Sequence, residues 1–277
     1  MNTEVGKSST KKLPVVEIFG PTIEGEGSII GMQTMFIRLG LCDFKCAMCD
    51  SMHAVDPQLV HASATWGTQE EIANWLSDYM VLRNAHHIKN VVLSGGNPCI
   101  HDLEILVRLL HDRDMAVYVE TQGTKCPTWL QTVDHITVSP KSPGMGEKFD
   151  PVVFATFLAG VPDMLDEGKI TVKVVIFTAQ DIEFAAAIQS ILDELIEYGV
   201  RIPPLYLSLG NSNPPKYGTA VATTFTGTNT DTNSNLAIDL LRQYDSLAED
   251  VMREPRLANA RFLPQLHTLI WGNELGR

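Results

Sequence analysis

Short runs rich in β-branched residues alternate along this chain with stretches whose apolar residues recur at helical spacing. That alternation points to a parallel sheet wrapped by helices rather than to a sandwich, because parallel neighbours need crossovers long enough to hold a helix. Strands are expected at Val15–Phe19, Met35–Leu39, Asn90–Ser94, Ala116–Glu120, His135–Val138, Thr171–Phe177 and Leu205–Leu209. A helix should begin at Thr68, where Thr68-Gln-Glu-Glu71 forms a capping box and Ile72, Trp75, Leu76 and Tyr79 then share one face. Further helices are expected at Asp102–Leu110, with Leu103, Leu106, Val107 and Leu110 inward, at Asp181–Tyr198, and from about Asn235 to Met252.

Composition narrows the class. With 44% hydrophobic and 19% charged residues among 277, the chain can bury a sizeable core and needs no disulfides to fold. Its 33 acids against 21 bases leave a formal charge of −12. Phosphate backbones are bound by a surplus of cations, so nucleic acid is not expected as a direct partner. No apolar run approaches the length of about 20 residues that spans a bilayer, and a cytoplasmic protein without membrane contact is expected. Residues 1–13 read as a flexible N-terminal tail and residues 14–277 as a single α/β domain. Asn211–Asn235, an abrupt run of Asn, Thr, Gly and Pro, reads as a loop that buries too little apolar surface to offset its ordering entropy.

Small and polar residues gather just beyond the strands: a cysteine loop after Leu39, Gly95-Gly-Asn-Pro98 after Ser94, Gln122-Gly123 after Glu120, and Ser139-Pro-Lys141 after Val138. Active sites of parallel α/β folds assemble at the C-terminal strand ends, so four sequence-distant loops should face one pocket. For any one of these loops alone, a tight turn accounts for the glycine and proline equally well.

Three of the five cysteines fall in Cys42-Asp-Phe-Lys-Cys46-Ala-Met-Cys49, while Cys99 and Cys126 stand apart as half-buried thiols. An odd count in a cytoplasmic chain speaks against disulfides, and three thiolates on one short loop suit a metal. A structural zinc ion would need a fourth ligand, for which His53 is the candidate. A cubane iron–sulfur cluster held by three thiolates instead keeps one iron open for catalysis.

The x3/x2 cysteine spacing resembles the signature of the radical S-adenosylmethionine superfamily. That resemblance implies a [4Fe–4S] cluster on Cys42, Cys46 and Cys49, whose free iron chelates S-adenosylmethionine. It further implies reductive cleavage of the sulfonium to methionine and a 5′-deoxyadenosyl radical. By the same resemblance, Met48, Cys49, Asp50, Gly95, Gly96, Asn97, Ser139, Pro140 and Lys141 contact the cofactor, with the glycines letting backbone approach it. Met48 occupies the place of a usual aromatic residue, and its thioether can pack on the adenine ring.

Within the superfamily, Ile18-Phe-Gly-Pro-Thr-Ile-Glu-Gly-Glu-Gly27, then Gly31 and Phe36-Ile-Arg38, lead into the cysteine loop. Together with Asp50-Ser51, Ser94-Gly-Gly-Asn-Pro98, Glu120-Thr-Gln-Gly-Thr124, Ser139-Pro-Lys141 and Leu263-Pro-Gln-Leu-His267, this series strongly resembles the 7-carboxy-7-deazaguanine synthases of deazapurine (queuosine-type) biosynthesis. The resemblance implies a modified, incomplete (β/α) barrel in one domain, often a homodimer, served by an electron donor such as a flavodoxin or ferredoxin. The implied reaction contracts the ring of 6-carboxy-5,6,7,8-tetrahydropterin to 7-carboxy-7-deazaguanine with loss of ammonia, regenerating S-adenosylmethionine. The implied substrate contacts are Ile23, Glu24, Gly25, Arg38, Ser94, Glu120, Gln265 and His267, and Ser51 is the implied Mg²⁺ ligand. The chemistry of these side chains agrees: Arg38 can pair with a carboxylate, Glu120 can accept from the guanidine-like edge of a pterin, and Mg²⁺ prefers hard oxygen ligands. For Arg38 and Glu120 an interstrand ion pair is the alternative role, and for His267 a place in the core. A glycyl-radical activase also uses three clustered cysteines, but the Glu24-Gly-Glu-Gly27 turn and the Gln265-x-His267 end fit the deazapurine enzymes better.

Overall fold

The computed structural model describes residues 10–197, 201–212, 230–272, 274 and 276. Its strands are β1 (Leu13–Ile23), β2 (Gln33–Leu39), β3 (Thr65–Gly67), β4 (Asn90–Gly95), β5 (Ala116–Thr121), β6 (His135–Val138), β7 (Ile170–Ile176), β8 (Leu205–Leu209) and β9 (Arg261–Leu263). Its helices are α1 (Pro57–Ser63), α2 (Gln69–Leu82), α3 (Glu104–His111), α4 (Pro151–Ala159), α5 (Pro162–Asp166), α6 (Ala179–Glu197), α7 (Thr230–Met252) and α8 (Leu266–Trp271).

One nine-stranded sheet has the order β3-β1-β2-β4-β5-β6-β7-β8-β9. From β2 to β9 every neighbouring pair is parallel and follows chain order, while β1 pairs antiparallel with both β2 and β3. Among the described residues β3 and β9 remain the sheet's two edges. The result is the incomplete barrel the sequence led us to expect, opened where a closed one would pair its first and last strands.

Side chains alternate across the strands. Met35, Ile37, Leu93, Val119, Val138, Val172 and Val174 face outward into the main core, where they meet Ile72 and Leu76 of α2, Leu106 and Leu110 of α3, Phe154 and Phe157 of α4, and Ile188 and Leu192 of α6. The capping box of α2 forms as expected, with Thr68 Oγ1 accepting from Glu71 N and Glu71 Oε2 accepting from Thr68 N. On the concave side Phe19, Phe36 and Val92 make a small second cluster with Tyr118. One residue pair further along, the same face carries Arg38 opposite Ser94.

Four helices and two strands were not expected. α1 and α4 begin at Asp-Pro pairs whose aspartates, Asp56 and Asp150, cap the first turn. The apolar run of α4 and the brevity of α5, α8, β3 and β9 hide them from a periodicity search. Helix α7 starts at Thr230 and not near Asn235, because short polar residues that read as a loop also suit a first helical turn. Residues 1–9 of the expected tail, 213–229 of the expected loop, and Tyr198 at the expected end of α6 lie outside the described residues. Among the described residues no helix is long and apolar enough to cross a membrane.

Candidate active site

The cysteine loop leaves β2 at Leu39 and is pinned on two sides. Gly96 N donates to Leu39 O (3.0 Å), Asn97 N to Leu41 O (2.9 Å) and Leu41 N to Ala54 O (2.7 Å). On the far side Ala47 N donates to Met145 O (2.8 Å) and Lys45 N to Glu147 Oε1 (2.7 Å). Gly95 has φ +129°, and a Cβ there would lie 1.9 Å from Leu39 O; one on Gly96 would lie 2.0 Å from Leu41 O. The glycine pair therefore lets the loop after β4 dock against the cysteine loop, and both glycines also line the cavity.

Asp43, between the first two cysteines, ties the same loop to β5. Its carboxylate accepts from Asn97 Nδ2 (2.8 Å), from Thr124 Oγ1 (2.5 Å) and from Gln122 Nε2. Asn97 is fully buried and also takes a hydrogen bond from Thr121 Oγ1 (2.9 Å). Asn97 and Pro140 stay behind the cavity wall, whereas Met48, Asp50, Gly95, Gly96, Ser139 and Lys141 line it. Lys141 Nζ donates to Ser139 Oγ (3.4 Å), and Ser139 N to Thr121 O (2.7 Å).

Cys42, Cys46 and Cys49 all line this cavity. Among the described residues no three His, Cys, Asp or Glu side chains converge as one metal ion requires. The zinc alternative loses its fourth ligand too, since His53 Nε2 meets Glu17 Oε1 (3.4 Å) and His53 is not part of the cavity wall. Three thiolates on one wall but not on one point suit a cubane, where each binds a different iron. Burial raises the three thiols, Cys46 to about 11 and Cys49 to about 12, so a bound cation must displace their protons. Of the remaining cysteines, both expected to be half-buried, Cys99 is fully buried and Cys126 is exposed.

At the other end of the cavity the turn after β1 meets the C-terminal segment. Leu266 N donates to Gly25 O (2.9 Å) and Gln265 Nε2 to Glu26 Oε1 (2.6 Å). A Cβ on Gly25 would sit 2.0 Å from His267 Nδ1, so only glycine lets that ring close on the turn. Ile23, Glu24, Gly25, Gln265 and His267 all line the cavity, and His267 is therefore not a core histidine. Glu24 Oε1 accepts from Gly25 N (2.9 Å) and Glu26 N (3.1 Å), while Oε2 has no hydrogen-bond partner among the described residues.

Arg38 shows the interstrand pair that was its alternative role. Its Nε donates to Glu17 Oε1 (2.6 Å), Nη1 donates to Ser51 Oγ (3.1 Å), and the guanidinium lies 5.2 Å from the Phe19 ring centroid. Burial pushes the Glu17 carboxyl up, but His53 and Arg38 outweigh it and hold Glu17 low. Ser51 Oγ in turn donates to Asp50 Oδ1 (3.0 Å), which gathers hard oxygens beside the cysteine loop. Ser94, opposite Arg38 in the register, and Glu120 also line the cavity.

Sequence reasoning missed Lys173. It sits mid-strand in the mostly apolar β7, 6% exposed, and its ammonium pairs with Glu26 and stands 3.9 Å from Glu120. A single lysine inside a run read as a buried strand was the available signal. Burial works against its charge, yet Glu26 and Glu120 keep it ionised, and in return Lys173 overcomes the burial of Glu26 and lowers that carboxyl to about 2. Phe44 and Phe177 are further wall residues that the sequence did not single out, and Glu26 and Gln122 line the wall from motifs in which neither had been given a role.

The cavity thus joins a thiol-lined end to an end of paired acids and one buried ammonium. No protein-family model matches the chain. The 7-carboxy-7-deazaguanine synthase of Bacillus subtilis (strain 168) is 34% identical over 269 residues, covering 96% of this chain and 99% of that one. The synthase of Pyrobaculum aerophilum is 28% identical over 275 residues, covering 98% and 100%. In fold the chain is similar to the crystal structure of QueE from Escherichia coli, with TM-score 0.56 and 22% identity over 92% of this chain and 95% of that chain. Identity of this degree along nearly the whole of both sequences shows that the chain belongs to the 7-carboxy-7-deazaguanine synthase family of radical S-adenosylmethionine enzymes.

Proposed function

We propose that this chain converts 6-carboxy-5,6,7,8-tetrahydropterin to 7-carboxy-7-deazaguanine and ammonia. One observation carries the reading: a single cavity runs from three cysteines on one anchored loop to a cluster of carboxyls and a buried ammonium fit for a polar heterocycle. The overall change is a redox-neutral elimination, so the cofactor can be returned at the end of each turnover.

Cys42, Cys46 and Cys49 would hold the [4Fe–4S] cluster, and Met48, Gly95, Gly96, Ser139 and Lys141 would flank S-adenosylmethionine. When bound, cluster and sulfonium together supply the hydrogen-abstracting oxidant. The protein's own part is binding and orientation. Glu120 accepts from the donor edge of the pterin, with the Lys173 ammonium 3.9 Å from its carboxylate. His267, seated on Gly25, closes the cavity over the substrate and limits water. Arg38 presents its remaining N–H groups to the substrate carboxylate while Glu17 fixes its plane. Ser51 supplies one oxygen to Mg²⁺, whose other positions fall to substrate and water. A one-electron donor such as flavodoxin or ferredoxin is required, and a cytoplasmic homodimer is the proposed working form.

The test is incubation of anaerobically reconstituted, reduced protein with the carboxypterin, followed by mass spectrometry. The deazaguanine acid should accumulate over many turnovers without matching loss of S-adenosylmethionine. Stoichiometric 5′-deoxyadenosine with an unchanged pterin would end this reading.

A further inference from the structure

Glu24 is 4% exposed and lines the cavity, and its two oxygens are treated differently. Oε1 is saturated by the backbone N–H groups of Gly25 and Glu26, whereas Oε2 is buried with no donor among the described residues. An ionised oxygen in that position would be desolvated without compensation. Its charged surroundings offer little relief. Lys173 of β7 is already paired with Glu26 of the same turn and faces Glu120 of β5, so three carboxyls share one ammonium. Arg38 of β2 is held by Glu17, His135 of β6 is neutral at physiological pH because burial lowers it to about 4, and His267, whose ring lies against Gly25, acts electrostatically on Glu26. Burial pushes the Glu24 carboxyl well above the usual range, and the charge of Glu120 adds to that push.

We propose that Glu24 works as a neutral carboxylic acid whose Oε2–H donates to the ring carbonyl oxygen of the bound pterin. Glu120 then takes the adjacent ring N–H groups, and the two side chains read a carbonyl beside an N–H as donor and acceptor. The pair would select an amide-type pyrimidinone edge and reject one with the pattern reversed, because a mismatched ligand would leave buried groups unsatisfied. This deepens the proposed function and rests on its pterin substrate.

The experiment measures equilibrium binding of the stable product, 7-carboxy-7-deazaguanine, to cluster- and S-adenosylmethionine-loaded wild type, Glu24→Gln and Glu24→Ala across neutral and alkaline pH. Wild-type affinity should fall about tenfold per pH unit once Glu24 ionises. Glu24→Gln, which cannot ionise and keeps a donor, should lack that limb and bind at least about tenfold more tightly than Glu24→Ala, the loss expected for one hydrogen bond in a buried site. The ligand's own titration would persist in both variants and so is separated. Infrared difference spectra of wild type minus Glu24→Gln at neutral pH should show the C=O stretch of a protonated carboxyl, whatever the variants do to affinity. If wild type binds but the alkaline limb survives in Glu24→Gln, or Gln binds no better than Ala, or no protonated carboxyl is seen, the neutral Glu24 is wrong while the pterin substrate stands. If wild type fails to bind at any pH, the substrate assignment falls and this inference falls with it.

Discussion

The ammonium of Lys173 stands 3.9 Å from the carboxylate of Glu120 while it pairs with Glu26, joining the interior of β7 to β5 and to the turn after β1. The side chains of Lys173 and Glu26 are only 8% and 12% exposed, so solvent screens the pair weakly. Such a pair is costly to half-remove, because the surviving partners keep their desolvation without the attraction. Lys173→Met should destabilise the protein by about 3 kcal/mol at neutral pH. The loss should shrink as the pH falls and Glu26 becomes protonated. Urea unfolding at two pH values checks this, and a variant as stable as wild type at both would show that the ammonium is not needed.

The glycines after β4 give a sharper steric test. Gly95→Ala must place a Cβ 1.9 Å from Leu39 O at φ +129°, so backbone has to move and the cysteine loop moves with it. The backbone conformation alone costs about 1–3 kcal/mol for a non-glycine residue. The variant should fold with unchanged helical content yet bind less iron and labile sulfide per chain. Gly31→Ala is the control: its φ is +84°, but a Cβ there meets nothing within 4 Å, so iron content should match wild type. Equal iron in Gly95→Ala and wild type would refute the docking role.

The inner strands, helix α2 and the cysteine loop could be read from local pattern, namely alternating apolar runs, a capping box and three cysteines in eight residues, whereas the other wall residues were expected from the family resemblance. What escaped depends on register between distant strands. Arg38 and Lys173 are both cations on strands, and nothing local says that one is held by Glu17 on the neighbouring strand and the other by Glu26 beyond β1 with Glu120 of β5 close by. The same limit explains Asn97, which looks like a cofactor contact beside two glycines but is turned toward Asp43 and Thr121. Gly95 and Gly96 were identified from their place after a strand, but their reason, the carbonyls of Leu39 and Leu41, is visible only in three dimensions.

Ser51 offers a test of the metal separate from the cluster. Its Oγ sits between Arg38 Nη1 at 3.1 Å and Asp50 Oδ1 at 3.0 Å, outside the thiol set. Ser51→Ala should leave iron content and the visible spectrum unchanged while raising the Mg²⁺ concentration needed for half-maximal activity by roughly tenfold or more. Ser51→Thr, which keeps the oxygen, should restore the wild-type requirement. Identical Mg²⁺ dependence in wild type and the alanine variant would remove Ser51 from the metal site.

Acid should loosen the β1–β2 turn before the rest of the fold. Against its burial, Glu26 is held at about 2 by Lys173, below the ordinary 4.5, so its contribution is fully present above about pH 4.5 and lost as the pH falls toward 2. That shift corresponds to stability on the order of 3 kcal/mol. His135, which contacts Ser28 Oγ and Thr171 Oγ1 at 3.1 Å, acts in the same direction: burial lowers it from 6.5 to about 4, so folding favours the neutral ring and stability falls as the pH drops below 6.5. Glu24 has the opposite sign, since its raised carboxyl loses stability as the pH rises. Stability should therefore decline from about pH 4.5 toward pH 2 more steeply in wild type than in Glu26→Gln, because the variant no longer has a carboxylate to protonate. Hydrogen exchange of the amides of Gly25, Gly27 and Ser28, followed over that range, locates the effect. Parallel pH slopes for the two proteins, with unchanged exchange in the turn, would show that the Lys173–Glu26 pair does not govern acid stability.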